Sequence, residues 1–195
     1  MITDIMLDLE TLNTIDSAIV LSIGAFGFNR YNINDNTSDF HESVGTKEHR
    51  DEQRMFGRTS SKETISWWKK QSKAAQQIFR ESTCKDTVEM LGKFADFYKK
   101  HNEIYGVYNV KVWGNGATFD NTILASLYRS YALDVPWNQF DDGCYRTVKG
   151  LCGVEAGIKN VPFEGVKHNA LHDARHQAKL LCLMINSLKK KGVKV

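Results

Sequence analysis

The sequence has few cysteines, and their arrangement excludes several kinds of protein. Cys84, Cys144, Cys152 and Cys182 form no CxxC pair, so neither a disulfide framework nor a redox motif is indicated. The N-terminus also lacks the basic start and apolar run that are typical of a signal peptide. We therefore expect reduced cysteines in the core and a cytoplasmic protein.

Long apolar runs and a strong net charge are lacking as well. No apolar stretch reaches the roughly 20 residues that span a bilayer, so no membrane role is indicated. The 26 Lys and Arg residues against 23 Asp and Glu residues give a net charge of +3, which is too small to identify nucleic acid as a partner. Any basic surface must come from local arrangement.

The length and the first third of the chain suggest one domain that begins with strands. A chain of 195 residues that is 42% hydrophobic is of a size to fold as a single domain, 1–195. The segments "ITDIMLDLE" and "SAIVLSIGAFGF" predict two buried strands, and "SDFHESV" offers a third. Polar residues dominate between about 29 and 62, where we predict a hairpin and an irregular, exposed loop inserted in the domain.

Helices and one more strand follow. The segment "SSKETISWWKKQS" offers serine with glutamate two or three residues later, which is a capping signal, and "KDTVEMLGKFADFYKKH" carries apolar residues at helical spacing. The segment "VKVWGNG" predicts a strand, followed by a helix with Thr118 as N-cap, and the last helix is predicted at about 170–190. This order predicts an α/β fold with a mixed β-sheet flanked by helices.

Two carboxylates stand close together at the end of the first predicted strand. Asp8 and Glu10, in "MLDLETL", are two residues apart, so their side chains project on the same face of the strand. Like charges this close repel unless a proton or a cation neutralises them. The simpler interpretation is that one caps the following turn and the other is solvated, whereas the chemical interpretation is a divalent-cation site.

Asp120, in "NGATFDNTIL", lies in the first turn of a predicted helix. An acidic residue there gains about 0.3–1 kcal/mol from the helix dipole, which is sufficient reason for its presence. Its apolar neighbours Phe119 and Ile123 would also hold it near the carboxyl end of the preceding strand, where α/β sheets place their ligands. Asp8 and Glu10 are predicted at a strand's carboxyl end too.

The stretch "HNALHDARHQA", residues 168–178, joins histidines to a third candidate position. Alanines four residues apart, at positions 170, 174 and 178, would let this helix approach the sheet closely. Asp173 on that helix would need a partner if it faces inward, and a cation near Asp8 would provide one. His168 precedes the helix and is a candidate general base, because histidine exchanges protons near cellular pH; an exposed polar residue is the simpler alternative.

A zinc site on this helix is an alternative, since His168, His172 and His176 are spaced by four residues. Three ligands spread over two turns, with about 12 Å of rise between the outer pair, cannot converge on one ion. The pair His172 and His176 could bind together, but no HExxH motif supplies a base.

Taken together, "DLE" at 8–10, "FDNTIL" around Asp120 and "HNALHD" ending at Asp173 resemble the three motifs of the DEDD exonuclease superfamily in its histidine-containing branch (DEDDh). That branch has the ribonuclease H-like fold. The pattern HxAxxD, from His168 to Asp173, is the most specific element, and the match spans about 165 residues. The segments "TISWWKKQS" and "CYRTVKGL" further resemble the group of the adenosine-specific exoribonuclease and phage exonuclease A.

The resemblance implies a metal-dependent 3′–5′ exonuclease that releases nucleoside 5′-monophosphates from single-stranded RNA or DNA. Asp8, Glu10, Asp120 and Asp173 would hold two Mg²⁺ or Mn²⁺ ions, and His168 would act as general base. Oxygen ligands suit such hard cations better than they suit zinc. The direction of attack is implied by the family alone.

Substrate contacts are also inferred from the resemblance. It places Thr11 and Leu12 near the terminal nucleotide, with Leu12 against the base, although Leu12 could equally belong to the core. Trp67 and Trp68 lie about 100° apart on a helix, so one is expected in the core; we assign base contact to Trp68. Arg146 is a candidate phosphate ligand, together with Lys149.

Two other functions stay open at this stage. The first is a catalytically inactive nucleic-acid-binding module of the same fold, against which four phosphate-repelling carboxylates argue. The second is a zinc hydrolase built on the C-terminal histidines. The sequence does not decide between RNA and DNA, and it leaves a homodimer open because members of the superfamily are often dimers.

Overall fold

The structure, a computed structural model, describes residues 2–104, 110–152, 154 and 156–194. Its strands form one five-stranded sheet. In chain order they are β1 (Asp4–Thr11), β2 (Val20–Phe28), β3 (Ser38–Ser43), β4 (Lys111–Gly114) and β5 (Asp142–Cys144).

Six α-helices lie between and after the strands within the described ranges. They are α1 (Lys47–Met55), α2 (Lys62–Trp68), α3 (Thr87–Ile104), α4 (Asp120–Ser130), α5 (Tyr145–Cys152) and α6 (Ala170–Lys190). Short 3₁₀ helices occupy Ala75–Phe79, Gln139–Asp141 and Ile158–Asn160.

The sheet is mixed, and β1 lies at its centre. The strand order is β3-β2-β1-β4-β5. β1 and β2 pair antiparallel, as do β2 and β3, whereas β4 runs parallel to both β1 and β5. The predicted α/β fold with a mixed sheet is therefore confirmed.

Alternate residues of β1 serve two different cores. Ile5, Leu7 and Leu9 pack in one apolar cluster with residues of α3 and α4. Met6 belongs to the opposite cluster, which is built mainly with α6. Because side chains alternate along a strand, Asp8 and Glu10 face the same side as Met6, toward α6.

The prediction of a hairpin and an irregular loop at about 29–62 is wrong for one stretch, where a helix forms. The β2–β3 hairpin was anticipated, but residues 47–55 form α1. This helix has no apolar stripe and is held through Gln53, whose side-chain amide bonds both the N–H and the C=O of Val20, at 2.9 and 2.7 Å. A polar anchor of this kind leaves no signal in hydrophobic periodicity.

Two predicted N-caps had different outcomes. The capping signal of "SSKETISWWKKQS" is confirmed, and the second serine is the cap: Ser61 accepts a hydrogen bond from the N–H of Thr64 at 3.0 Å. Thr118 does not cap α4, because that helix begins one residue later, at Asp120, with Phe119 in the cap position and no side-chain hydrogen bond.

Within the described ranges, none of the helices has both the length and the hydrophobicity required to cross a lipid bilayer.

Candidate active site

The site is built on β1, where two carboxylates lie on one face. Glu10 is buried. Asp8 accepts a hydrogen bond on Oδ1 from the side-chain amide of Gln177 at 2.7 Å. Gln177 belongs to α6, so this bond ties the centre of the sheet to that helix and orients the Asp8 carboxylate.

Asp120 reaches β1 from the start of α4. Its Oδ1 accepts a hydrogen bond from the N–H of Leu9 at 3.2 Å, whereas its buried Oδ2 has no hydrogen-bond partner among the described residues. Gly114 makes this approach possible. A Cβ at Gly114 would lie 2.3 Å from Oδ1 of Asn121 and 3.0 Å from Cβ of Asp120.

Asp173 is brought over the sheet by the close approach of α6 to β2. Gly24 pairs with Asp8 in the β1–β2 ladder. A Cβ at Gly24 would lie only 2.1 Å from the carbonyl carbon of Ala170 and 2.2 Å from the backbone nitrogen of Leu171. Because Gly24 has no side chain, the start of α6 can occupy the space next to it, opposite Asp8.

His168 is held just before α6 in a left-handed backbone conformation, with φ of 62°. Its N–H donates to Oδ2 of Asp173 at 2.7 Å. His172 supports the same loop, since its Nδ1 accepts from the N–H of Val166 at 3.0 Å. The ring of His168 packs edge-on against Trp67, with 4.7 Å between centroids. Both the backbone and the imidazole ring of His168 are therefore held in position.

The structure brings the predicted acidic residues and His168 together. Ligand atoms of Glu10, His168 and Asp173 all lie within 4.8 Å of one another. Asp8 interacts electrostatically with the carboxylates of Glu10, Asp120 and Asp173. Side chains of residues 165 positions apart in sequence therefore lie in one cluster.

Burial and mutual repulsion make the ionised forms of these carboxylates unfavourable without a cation. Desolvation raises the pKa of Glu10 to about 8, helped by the charges of Asp173 and Asp120. Desolvation likewise raises the pKa of Asp120 to about 7, against the opposing effect of its backbone hydrogen bonds. The pKa values of Asp8 and Asp173 are also raised, in each case mainly by burial.

This cluster fits divalent cations. Oδ2 of Asp120 is buried without a hydrogen-bond partner, and the four carboxylates repel one another. A hard cation that prefers oxygen ligands would stabilise both features. A structural alternative would satisfy each carboxylate with a cationic side chain, as Arg30 does for buried Asp4 at 2.5 Å. Within the described residues no such ion pair is found for the four acidic residues of the site.

The zinc alternative is not supported by the geometry. His172 uses Nδ1 for the Val166 N–H, and His176 packs on Phe163 with 5.0 Å between ring centroids. The one cluster of three potential metal ligands found among the described residues is Glu10, His168 and Asp173. His172 supports the loop structurally.

The assignment of base contact to Trp68 is corrected by the structure. Trp68 is 2% exposed and donates its Nε1–H to the C=O of Thr11 at 2.9 Å, so it is a core residue that holds the turn after β1. Trp67 is 42% exposed and lines a cavity of about 490 Å³ beside Glu10, together with Thr11 and Phe119. Trp67 therefore offers the accessible indole.

Leu12 and Thr11 are more enclosed than the sequence suggested. Leu12 is 3% exposed and packs with Ile19, Leu21 and Trp68, so its contribution is to the core. The hydroxyl of Thr11 donates to the C=O of Asn13 at 2.8 Å. Both residues shape the turn after β1.

Arg146 lies near Asp120 of the acidic cluster. Its guanidinium donates to the C=O of Asn115 at 2.8 Å, and its charge lowers the pKa of Asp120. The side chain is exposed. It is thus available to an anion beside Asp120. Lys149 instead lies near the ring of Tyr145, with Nζ 5.9 Å from the centroid.

Sequence reasoning missed three residues that build the site. Gly24 and Gly114 admit the starts of α6 and α4, and Gln177 orients Asp8. An isolated glycine inside a strand pattern is a signal for close backbone approach. Gln177 gives no comparable signal, since its partner lies 169 residues away.

Comparison with known proteins agrees with this arrangement and defines the class. The fold is that of the ribonuclease H-like DEDDh nucleases. One similar structure is the nuclease domain of 3′hExo, a DEDDh family member, bound to rAMP; it covers 94% of this chain and 91% of its own, with a TM-score of 0.58 and 14% identity. E. coli Exonuclease I in complex with a dA16 oligonucleotide is similar over 97% of this chain and 43% of its own, with a TM-score of 0.53 and 12% identity.

The sequence identifies the family within that class. Residues 3–185 match the 3′-5′ exoribonuclease Rv2179c-like domain, and the chain belongs to this family of 3′–5′ exonucleases. A curated relative is the exodeoxyribonuclease of Enterobacteria phage T4, which is 30% identical over 128 residues. That match spans 65% of this chain and 56% of the phage protein.

Proposed function

We propose that this 3′–5′ exonuclease shortens single-stranded RNA or DNA one nucleotide at a time and releases nucleoside 5′-monophosphates. The observation that carries the proposal is the convergence of Asp8, Glu10, Asp120 and Asp173 with His168 in one cluster. The family description supports RNA as substrate, and the name of the phage relative supports DNA.

The four carboxylates would hold two Mg²⁺ or Mn²⁺ ions. When bound, such ions would supply Lewis-acid chemistry, offsetting the charge that develops on the phosphoryl group during hydrolysis. Asp8 lies close enough to the three other carboxylates for their charges to act on it. Gln177 fixes the orientation of Asp8 through its hydrogen bond.

His168 acts as the general base that accepts the proton of the attacking water. Its ring lies next to Glu10 and Asp173 and rests against Trp67. The bond from its own N–H to Asp173 couples the position of the imidazole to that of a metal ligand. General-base catalysis of this kind contributes roughly 10²–10⁴-fold to the rate.

The cavity of about 490 Å³ beside Glu10 receives the 3′-terminal nucleotide. Its walls include the exposed indole of Trp67 and the ring of Phe119, which offer apolar faces to a base. Arg146, exposed beside Asp120, contacts a phosphate oxygen. An inactive binding module would not need four carboxylates that repel phosphate in the absence of cations.

The test is nucleotide release from a 5′-labelled single strand in Mg²⁺, in Mn²⁺ and in EDTA. The wild type is expected to give a ladder of products shortened from the 3′ end, with 5′-monophosphates, only when metal is present. Asp8→Asn and His168→Ala should each lose activity by at least about a hundredfold. The matched control is Asp134→Asn, an exposed acidic residue outside the site.

A ladder that forms equally in EDTA, or that survives Asp8→Asn, would contradict the proposal. Strand binding without product release would favour the binding-module alternative. Rates on matched RNA and DNA strands, an all-adenosine strand among them, assign the sugar and base preference.

A further inference from the structure

A second cavity is bordered by Trp68. It has a volume of about 300 Å³. We call it the arginine pocket, and its defining residues are Leu12, Arg50, Arg54, Trp68, Lys69 and Phe79. Trp68 lines both this pocket and the cavity beside Glu10, so the two cavities share a wall.

The rim of the arginine pocket carries positive charge that the protein does not neutralise. Arg50 and Lys69 form no ion pair with the described carboxylates, whereas Arg54 pairs with Asp51 at 2.5 Å. Arg50 is held in place by a bond to the C=O of Gly45 at 2.5 Å. A guanidinium held in place, partly desolvated and without a carboxylate, is suited to bind a phosphate.

The floor of the pocket is apolar and aromatic. Phe79 lies under the guanidinium of Arg50, with 5.4 Å from Cζ to the ring centroid, and Trp68 and Leu12 complete the surface. The cationic side chains of the rim therefore lie beside an apolar surface, an arrangement that suits the phosphate of a nucleotide.

The charge of the surrounding segment agrees with this interpretation. Residues 47–81 carry nine Lys and Arg against five Asp and Glu, although the whole chain has a net charge of only +3. The segment that forms most of the arginine pocket therefore carries an excess of four positive charges. A strand whose 3′ end lies beside Glu10 meets this charge if it crosses Trp68.

We propose that the arginine pocket binds a nucleotide upstream of the 3′ end, with its phosphate on Arg50 and Lys69. This assignment rests on the proposed function, because it takes the 3′-terminal nucleotide to lie beside Glu10. It makes the enzyme select single strands long enough to reach from one cavity to the other.

The test compares two substrates that differ in length. A single-stranded decanucleotide reaches both cavities, whereas the p-nitrophenyl ester of thymidine 5′-monophosphate fills only the cavity beside Glu10. The variants are Arg50→Gln and Lys69→Gln. Lys73→Gln is the matched control, because Lys73 is an exposed lysine of the same segment that does not line the pocket.

Each pocket variant is expected to raise KM for the decanucleotide roughly tenfold, the effect of losing one charged phosphate contact. The slope of log KM against log salt concentration should fall by about 0.7. KM for the ester should stay within about twofold of the wild-type value. Arg50→Gln also removes the hydrogen bond to Gly45, which could disturb the fold. Lys69→Gln removes no such bond, so it is the cleaner of the two variants.

An unchanged KM for the decanucleotide would overturn the assignment. An equal rise in KM on both substrates would also overturn it, because the pocket would then belong to the terminal-nucleotide site. A rise in KM of the same size in Lys73→Gln would overturn it as well. Failure of the wild type to hydrolyse either substrate would instead contradict the proposed function. In that case, fluorescence anisotropy of a labelled decanucleotide tests the pocket assignment by itself. Weaker binding by Lys69→Gln than by the wild type supports the assignment, and equal affinity overturns it.

Discussion

At the scale of single residues, the site is defined by carboxylates in an environment that opposes their charge. Glu10 shows this most clearly, since burial and two acidic neighbours raise its pKa to about 8 from an ordinary 4.5. Its ionisation therefore destabilises the metal-free fold. The stabilising effect of protonated Glu10 is fully present below pH 4.5 and is lost as the pH rises through 8.

Replacing Glu10 with glutamine should separate stability from function. In EDTA, the melting temperature of Glu10→Gln is expected to exceed that of the wild type increasingly between pH 5 and pH 8.5, because the variant has no charge to bury. Nucleotide release should nevertheless fall by at least about a hundredfold. Thermal melts across this pH range provide the check, and parallel curves for the two proteins would contradict the assigned pKa shift.

The two adjacent tryptophans should respond differently to truncation. Trp67→Ala removes an exposed indole beside Glu10, so KM should rise by an amount equivalent to about 1–3 kcal/mol of stacking while stability is nearly unchanged. Trp68→Ala removes a core residue and should lower the free energy of unfolding by about 3–5 kcal/mol. Chemical denaturation and steady-state kinetics on both variants test this contrast, and a large stability loss in Trp67→Ala would refute it.

At the scale of elements, the site depends on how closely α6 and α4 approach the sheet. The N-cap Asn169 accepts the N–H of His172 at 3.1 Å and fixes where α6 begins. Gly24 and Gly114 then leave room for the two helix starts. Asp173 and Asp120 are thus positioned by backbones that pack where side chains are absent.

Gly24→Ala should displace the start of α6. The added methyl group would overlap the backbone of Ala170 and Leu171, so Asp173 and His168 must move away from Asp8. We expect activity to fall by about a hundredfold or more. The free energy of unfolding should also fall, because α6 no longer packs closely against β2. Gly92→Ala is the matched control, because its Cβ meets open space in α3 and should stabilise the helix by about 0.5–1 kcal/mol.

Activity assays and thermal melts on these two glycine variants give the answer. Full activity in Gly24→Ala would show that the position of α6 does not control the site.

At the scale of the whole molecule, metal binding should stabilise the fold in a pH-dependent way. The raised pKa values of Asp8, Glu10, Asp120 and Asp173 mean that cations must displace protons to bind. The increase in melting temperature caused by saturating Mn²⁺ should therefore be greater at pH 8 than at pH 6. Differential scanning fluorimetry measures the melting temperature with and without Mn²⁺. An increase of the same size at pH 6 and pH 8 would contradict the coupling between metal binding and proton release.

Local patterns in the sequence were enough to predict much of this molecule. Alternation along β1 placed Asp8 and Glu10 on one face, and the alanine spacing of 170–178 predicted a helix that packs closely. These features depend on residues near one another in the chain. The mixed sheet followed from the order of strands and helices.

Features that depend on distant partners could not be predicted in this way. Two neighbouring tryptophans indicated one core residue, but which one is buried depends on how α2 lies against the turn after β1. The pairing of Asp8 with Gly24 is set by the register of the β1–β2 ladder. Helix α1 escaped detection because a single amide, that of Gln53, anchors it.

The most direct test of the account is a crystal structure grown with Mn²⁺ and a nucleoside 5′-monophosphate, with anomalous diffraction collected to locate manganese. We predict manganese peaks bounded by the carboxylates of Asp8, Glu10, Asp120 and Asp173, with the nucleotide phosphate beside them. Peaks elsewhere on the protein, or none at this cluster, would contradict the claim that these four side chains form one cation site.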